Sequence, residues 1–379
     1  MSETNKYDVA IAGGGLAGLS LSIQAAKKGY RVILFEKEKY PFHKVCGEYI
    51  SLESWDFMEE LGLPLSEMNL PILQKLIVSA PNGKTLEHML PLGGFGISRY
   101  KLDAMLADIA RENGVVIKEQ TKVQSIDYDD DHFLIKGSGF SIEASVAAGT
   151  FGKRSNIDVA WKRNFILQKA NKLNNYIGVK YHVQYDFPQD TIALHNFSNG
   201  YCGISRIEDD NYCLCYLTTA KNLERSNNDI KKMEATILSR NPFLKKIFLE
   251  AGFVTESPTV ISQISFSKKD QIENHVLMIG DAAGMITPLC GNGMSMAMHA
   301  SKIAFESIER FFDKKISRQE MEDDYKNKWS KQFNSRLKTG RIIQRFFGNP
   351  FLSNVIISVL KPFPAIVDII ISKTHGQPF

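Results

Sequence analysis

Three glycines and one glutamate near the start of the chain have the types and spacing of a nucleotide-cofactor site. Gly13, Gly15 and Gly18 form a G-x-G-x-x-G pattern, and Glu36 ends the next apolar run. In such a pattern the first glycine permits a tight turn, the second lets backbone approach a pyrophosphate, and the third allows close helix packing. The acid can accept hydrogen bonds from a ribose. These residues predict a dinucleotide site, and the motif alone does not separate NAD from FAD.

A second glycine-rich group lies far along the chain. The apolar run 275–279 ends in Gly280 and Asp281, and a helical stretch begins near Gly293. Asp281 could bind a sugar-like polyol. The positive end of the helix dipole favours negative charge, which a reduced flavin carries on its pyrimidine edge. Because an NAD site needs no such element, this second group favours FAD.

The elements that must position these residues can be predicted from apolar patterning. Residues 8–12 and 30–35 are short apolar runs typical of buried strands. Residues 19–28 contain good helix formers and end before Gly29. The order is therefore strand, glycine turn, helix, strand and acid, which is the context that the motif requires.

Three further stretches carry a resemblance to a known family. They are HKVCGEYIS at 43–51, ISRYKLDAML at 97–106 and GDAAGMITPLCGNGMSMA at 280–297. With the opening motif, they make the chain resemble the single-component FAD-dependent oxidoreductases of the geranylgeranyl reductase and flavin-dependent monooxygenase (hydroxylase–halogenase) superfamily. The resemblance implies an α/β fold: a glutathione-reductase-type, Rossmann-like FAD-binding domain with an inserted antiparallel-sheet substrate domain and a helical C-terminus.

The resemblance also implies roles for individual residues. Asp281 would hold the ribityl chain, Gly293 and Met294 would flank the flavin ring, and Arg99 would lie beside the cofactor. Pattern and resemblance together predict these cofactor-binding residues: Gly13, Gly15, Leu16, Ala17, Gly18, Glu36, Lys37, Lys44, Cys46, Gly47, Arg99, Val123, Gly149, Gly280, Asp281, Pro288, Gly291, Gly293 and Met294. The catalytic acid or base stays unassigned, with His43, Glu48, His195 and Tyr201 as candidates, and no metal centre is expected.

The domain organisation expected for this fold is discontinuous. The predicted segments are 1–70, 99–160 and 265–345 for the FAD-binding domain, 71–98 and 161–264 for the substrate domain, and 346–379 for a helical C-terminal segment. No second G-x-G-x-x-G occurs. The chain would therefore take electrons from NAD(P)H visiting the flavin pocket, or from a partner reductase.

Several functions fit this reading. The first hypothesis is an NAD(P)H-dependent monooxygenase that hydroxylates an aromatic or polyketide-like molecule. The alternative is a geranylgeranyl-reductase-like enzyme that reduces C=C bonds of a lipid-like substrate. A halogenase is disfavoured, since residues 200–206 lack the tryptophans and proline of halogenases. A non-catalytic FAD-binding partner is a further alternative, disfavoured by the complete second glycine group.

Composition and the C-terminal stretch bear on partners and location. A net charge of +4 over 379 residues is not the footprint of a nucleic-acid binder, and five cysteines without regular spacing suggest free thiols. No export signal or bilayer-spanning run is apparent, so we expect a cytoplasmic protein with a hydrophobic small-molecule substrate. The apolar stretch 340–373 is divided by prolines. It predicts either a peripheral membrane contact or packing against the substrate domain or a dimer partner, and we favour packing. The oligomeric state is not predicted.

Overall fold

The computed structural model describes residues 6–168, 174–287, 291–346 and 349–379. The strands are β1 (Lys6–Ala12), β2 (Val32–Phe35), β3 (Tyr49–Ser51), β4 (Ile72–Ser79), β5 (Thr85–Gly96), β6 (Val116–Lys118), β7 (Val123–Asp129), β8 (His132–Gly137), β9 (Phe140–Gly149), β10 (Asn174–Gln184), β11 (Thr191–Phe197), β12 (Gly200–Arg206), β13 (Tyr212–Thr219), β14 (Gly252–Phe253), β15 (Thr259–Ser265), β16 (Ile272–Glu273) and β17 (Val276–Met278). The α-helices are α1 (Leu16–Lys27), α2 (Trp55–Leu61), α3 (Arg99–Glu112), α4 (Asn156–Ala160), α5 (Asn164–Leu167), α6 (Ala220–Arg225), α7 (Ile230–Thr236), α8 (Pro242–Glu250), α9 (Gly293–Phe312), α10 (Arg318–Phe346), α11 (Pro350–Leu360) and α12 (Pro364–Ser372).

The first sheet places the two glycine-rich groups at one edge. Its strands run β17, β9, β1, β2 and β6, all parallel, with β16 antiparallel at one end and the β7–β8 hairpin joined to β9. Since carboxyl ends of parallel strands meet at the same edge, the turns after β1, β9 and β17 lie together. Helices α1, α3, α9 and α10 pack around this sheet.

The second sheet is largely antiparallel. Its order is β14, β10, β13, β12, β11, β4, β5 and β3, with β15 also paired to β10 and only β4 and β11 parallel. β3 follows directly on residues 44–48, which we call the 44–48 loop. This loop runs from the first sheet into the second. The two sheets and the helical C-terminus confirm the predicted fold class.

The two sides of the second sheet differ in what covers them. Tyr181, Tyr216 and Phe197 point towards helices α7 and α8, where they pack with Met233 and Leu244 in a buried apolar cluster. We call this side the helix face. The residues between them along the strands point the other way, towards the 44–48 loop, and we call that side the site face.

The C-terminal stretch forms two short helices, each with proline in its first turn, at Pro350 and Pro364. They pack on β4 and β5 through a few residues, Ile357 and Val367 among them. In the described part of the chain no single helix is long and apolar enough to cross a membrane. The pair α11 and α12 meets that length and composition only when joined, and it is bent by 116° at the break.

Candidate functional site

The glycine turn after β1 has the geometry that its sequence pattern requires. Gly13 adopts a φ of +116°, and a Cβ there would lie 2.6 Å from the carbonyl oxygen of Thr150. A Cβ on Gly18 would lie 2.1 Å from the Gly13 carbonyl oxygen. Neither position accepts a side chain. The tight turn and the close packing of α1 therefore both depend on glycine.

The glutamate after β2 is held beside this turn. Glu36 is buried and accepts hydrogen bonds from the backbone N–H groups of Gly14, at 2.9 Å, and Glu38, at 3.1 Å. Tyr40 donates its hydroxyl to the Gly14 carbonyl oxygen at 2.5 Å, and burial raises the pKa of that hydroxyl well above its ordinary value. The carboxylate is thus fixed at the place where a ribose acceptor is predicted.

The N-terminus of α1 faces two cations. Gly15 caps this helix without a side-chain hydrogen bond, and a Cβ there would still be 3.9 Å from both Arg99 Nη2 and Lys44 Nζ. Arg99 bonds Asp103 through two nitrogens, each at 2.8 Å, and Lys44 bonds it at 2.9 Å. Burial alone would raise the pKa of Asp103, but the two cations outweigh it and hold the pKa below its usual range.

The start of α1 therefore offers free backbone N–H groups and open space, with the charges of Arg99 and Lys44 held nearby. These features fit the pyrophosphate of a dinucleotide. The residues present therefore fit FAD on their own geometry.

The second glycine group closes the opposite side of this space. Gly280 has a φ of +65°, and a Cβ there would lie 3.2 Å from that of Ala17 in α1. Burial raises the pKa of Asp281, against the charges of Lys269, Arg99 and others nearby. Lys269, which the sequence analysis did not single out, donates to the carbonyl oxygens of Asp281 and Lys153, each at 2.7 Å. It ties the turns after β9 and β17 together, and burial lowers its pKa to about 8.

The start of α9 meets the 44–48 loop. Met294 Sδ lies 3.5 Å from Cys46 Sγ, and Gly291, with a φ of +61°, packs on Tyr49 of β3. The capping residue Asn292 donates to the Thr374 carbonyl oxygen at 3.2 Å, so the C-terminal residues support this helix start. Pro288 and Cys290 lie outside the described residues.

The remaining predicted cofactor residues are more dispersed. Leu16 and Ala17 are buried in the first turn of α1, and Gly149 ends β9 opposite Ala12 of β1. Val123 is buried at the start of β7, whereas Lys37 is exposed and pairs with its neighbour Glu38. For all of them, contact with the cofactor stays a prediction.

A buried charged cluster lies where the 44–48 loop meets the site face. Glu48, in the left-handed conformation with a φ of +55°, is fully buried. Its carboxylate accepts hydrogen bonds from Lys180 Nζ and His182 Nε2, each at 2.6 Å, and from the Arg99 backbone N–H at 2.9 Å. Burial alone would raise the pKa of Glu48, but the His182 hydrogen bond and the Lys180 charge hold it below its ordinary value.

This arrangement can hold and orient a proton. An ionised Glu48 accepts from the Nε2–H of His182, so the bond fixes the tautomer and leaves Nδ1 as the exchanging nitrogen. His43 stands against the ring of His182, with centroids 5.3 Å apart, and stacks on Tyr100. Burial, and then the charge of Lys180, lower the pKa of His43.

Lys180 and His182 were missed in the sequence. Their only signal is a polar residue at every second position of β10, within an otherwise apolar strand.

The structure separates the other two acid–base candidates. Tyr201 is on the site face, packed among apolar residues that include Tyr176 and Phe266. His195 is on the helix face, where its Nδ1 is 2.8 Å from Ser79 Oγ and its ring stacks on Phe243. His195 therefore does not reach the site, contrary to the expectation for it.

A surface cavity of about 610 Å³ lies elsewhere in the described part of the chain. It is lined by residues near the C-terminal end of α9, such as Phe311 and Arg318, and by none of the predicted site residues. This cavity is therefore separate from the space between the two glycine groups and the site face.

Comparisons with known proteins agree with this geometry. A family model described as an FAD binding domain matches residues 6–304. Conditioned medium factor receptor 1 of Dictyostelium discoideum is 24% identical over 90% of this chain and 71% of that protein. Digeranylgeranylglycerophospholipid reductase of Methanococcus vannielii is 23% identical over 86% of this chain and 83% of that protein.

A solved geranylgeranyl bacteriochlorophyll reductase-like protein from Thermoplasma acidophilum superposes with a TM-score of 0.79, at 16% identity over 99% of this chain and 96% of that one. Other matches include a brominase, halogenases and a protein described as an FAD-dependent monooxygenase. Since the family model covers more than half of the chain, the chain belongs to the FAD-binding-domain family, and it is an FAD-dependent oxidoreductase of the superfamily that includes geranylgeranyl reductases and flavin-dependent monooxygenases.

Proposed function

We propose that this protein is a flavin-dependent reductase that saturates a C=C bond of a lipid-like substrate. The observation that carries the proposal is the buried cluster of Glu48, Lys180 and His182. This cluster lies on the site face of the second sheet, where that face meets the 44–48 loop. Reduction of a C=C bond adds a hydride to one carbon and a proton to the other. A bound reduced flavin supplies the hydride, so the protein must supply the proton.

In this proposal the imidazole of His182 donates the proton. His182 can release a proton from Nδ1 while Nε2 stays bonded to Glu48, whose carboxylate stabilises the charged ring. Lys180, buried and bonded to the same carboxylate, balances its charge when the ring is neutral. Burial alone would lower the pKa of Lys180, but Glu48 raises it, so the ammonium stays charged.

The surroundings of the site favour an apolar substrate. Tyr49 lies against the Gly291 turn, and it belongs to a buried cluster with Leu73 and Leu90 against which Ile371 of α12 packs. An apolar route therefore joins the start of α9 to the C-terminal helices. The similarity to several digeranylgeranylglycerophospholipid reductases supports the same substrate class.

A monooxygenase is the second candidate, because the same cluster could take a proton from an aromatic hydroxyl. For that reaction O₂ is consumed and NAD(P)H is the expected electron donor, which a partner reductase could replace. The two reactions differ in the product. The reductase adds two hydrogens without O₂, and the monooxygenase adds one oxygen and needs O₂.

An anaerobic single-turnover experiment tests the proposal. Protein loaded with FAD is reduced with dithionite, which removes the question of the natural donor, and then mixed with a geranylgeranyl lipid. We expect oxidation of the flavin and a product heavier by two hydrogens, read by mass spectrometry. An unchanged lipid under nitrogen, with an oxygenated product from an aromatic substrate in air, would overturn the reductase in favour of the monooxygenase.

A further inference from the structure

The C-terminal helices expose an unusual concentration of large apolar side chains. Of the 18 large hydrophobic residues that are exposed in the described chain, seven fall between residues 342 and 369. They are Ile342, Phe351, Val355, Val359, Phe363, Ile366 and Ile369, and Phe351 is 74% exposed. The six of these side chains from Phe351 to Ile369 lie on α11, on α12 and at the break between them, and we call them the apolar patch. A patch of this kind marks an interaction site rather than scattered surface residues.

The segment that carries the apolar patch, residues 349–379, has two lysines, Lys361 and Lys373, and one acid, Asp368. The carboxylate of Asp368 lies 2.7 Å from His88 Nε2, so this acid has a partner within the protein.

Three lysines lie at the patch itself. Lys361 is exposed at the break between α11 and α12, Lys373 is exposed at the end of α12, and Lys84 reaches Ser358 on α11. Within the residues described, none of the three is in an ion pair with an acid.

We propose that the apolar patch docks on the surface of a bilayer that contains anionic lipids. The α11–α12 pair has the two features that interfacial helices share, exposed apolar side chains and lysines at the edge, and neither helix is long enough to span. Each basic residue near an anionic surface adds attraction that salt weakens.

A second copy of the chain fits the patch less well. In a symmetric dimer the same surface meets itself, so the lysines at the patch would approach each other across the interface. Anionic lipid headgroups complement those charges instead.

Docking at this surface would also bring the bilayer close to the candidate site. Ile371 of α12 packs against the buried cluster that contains Tyr49, and Tyr49 lies against the Gly291 turn. The docking does not depend on the reaction that the site performs, and binding to vesicles without substrate tests it alone.

The test is co-sedimentation of the FAD-loaded protein with vesicles of phosphatidylcholine and of phosphatidylcholine mixed with phosphatidylglycerol. We expect binding to the mixed vesicles, weakened by added salt. The triple variant Phe351→Ser, Phe363→Ser and Ile369→Ser should bind roughly 100-fold less tightly, since each loses apolar contact with the bilayer. The variant Lys361→Glu and Lys373→Glu should lose roughly 10-fold or more in affinity for the mixed vesicles.

A matched control removes apolar side chains that are equally exposed elsewhere. The variant Leu167→Ser, Leu249→Ser and Val254→Ser should bind vesicles as the unchanged protein does, because these residues lie outside the patch. Retention of FAD by each variant checks its fold, and the two-lysine variant, which alters only exposed groups, tests the proposal if the apolar triple variant does not fold. Equal binding by the control and both patch variants, or no binding to mixed vesicles, would overturn the proposal. So would a protein that sediments as a dimer and becomes monomeric in the patch variants.

Discussion

The two faces of the second sheet, formed by the same strands β10, β11, β12 and β13, each hold a buried carboxylate, but with different partners. On the site face, Lys180 and His182 hold a buried carboxylate, Glu48, that arrives from the cofactor loop. On the helix face, the buried carboxylate Glu234 accepts hydrogen bonds from the hydroxyls of Tyr181 and Tyr216, at 2.8 and 2.9 Å. One face therefore holds its carboxylate with a buried lysine and a histidine, and the other holds its carboxylate with two neutral hydroxyls and one largely exposed lysine, Lys231.

This difference shows which face is built for chemistry. A carboxylate bonded to two tyrosines joins helix α7 to the sheet and leaves no group that exchanges protons near neutral pH, because burial, with Glu234 nearby, raises the pKa of both tyrosines. A carboxylate bonded to a lysine and a histidine keeps a titratable ring in place. The faces also differ in what a single substitution should do, which gives three predictions.

The largest expected effect is on the site-face carboxylate. Glu48→Gln leaves Lys180 buried without its counter-charge, and breaking a buried pair in this way costs about 3–5 kcal/mol of unfolding free energy. Urea denaturation of the FAD-loaded protein measures it. Since the folded pKa of Glu48 is lowered, its contribution is present above the pKa of the unfolded chain and is lost as pH falls through the folded value. The gap between the two proteins should therefore narrow in acid.

Glu234→Gln is the matched control on the helix face. A glutamine oxygen can still accept from Tyr181 and Tyr216, and the ion pair that is lost involves Lys231, whose side chain is 61% exposed. We expect a loss of about 1 kcal/mol. Equal losses of unfolding free energy in Glu48→Gln and Glu234→Gln would show that the two faces depend equally on the charge of their carboxylates.

The sequence predicts the cofactor end of the site better than the proton-holding end, for a physical reason. Gly13 and Gly18 act through backbone geometry, and Glu36 accepts a hydrogen bond from the same turn, so their spacing over a short stretch specifies the turn. Glu48 and Lys180 are 132 residues apart and meet only because β3 and β10 belong to one sheet. No local pattern predicts that meeting.

The two strand histidines show the same limit of prediction from sequence. The sequence made His195 a candidate and missed His182, although each is the one histidine of its strand. Strand pairing decides between them: His182 is opposite Cys213 on the site face, and His195 is opposite Cys202, which is part of the apolar cluster on the helix face. The resemblance carried by the sequence motifs implied the fold class, but which face each strand residue occupies required the pairing register.

The second prediction compares these two histidines in turnover. His182→Gln keeps a donor for Glu48 but cannot exchange a proton, so we expect kcat to fall roughly 100-fold, within the range for loss of a general acid. His195→Gln should change kcat less than about 2-fold, since the ring lies on the far side of the sheet. Steady-state assays after FAD loading measure kcat for both variants. Equal kcat values for His182→Gln and the unchanged protein would remove this residue from the proton path.

The third prediction concerns the effect of pH on stability through His195. Burial lowers its pKa to about 4, so the ring is neutral in the folded protein. In the unfolded chain a histidine has a pKa of about 6.5, so below that pH the unfolded state binds the additional proton. Stability should thus be complete above about pH 6.5 and fall as pH drops towards 4, by up to about 1.4 kcal/mol per pH unit from this residue.

His195→Gln should remove this dependence, so its stability, compared with that of the unchanged protein, should improve by about 2 kcal/mol between pH 7 and pH 5. Phe243→Leu is the control, because it loosens the stacking on His195 without removing the titrating ring. Its curve should run parallel to that of the unchanged protein. Parallel curves for His195→Gln as well would mean that the ring is protonated in the fold. The helix face would then hold a charge that Ser79, the hydrogen-bond partner of His195 among the described residues, cannot balance, and the contrast between the two faces would not hold.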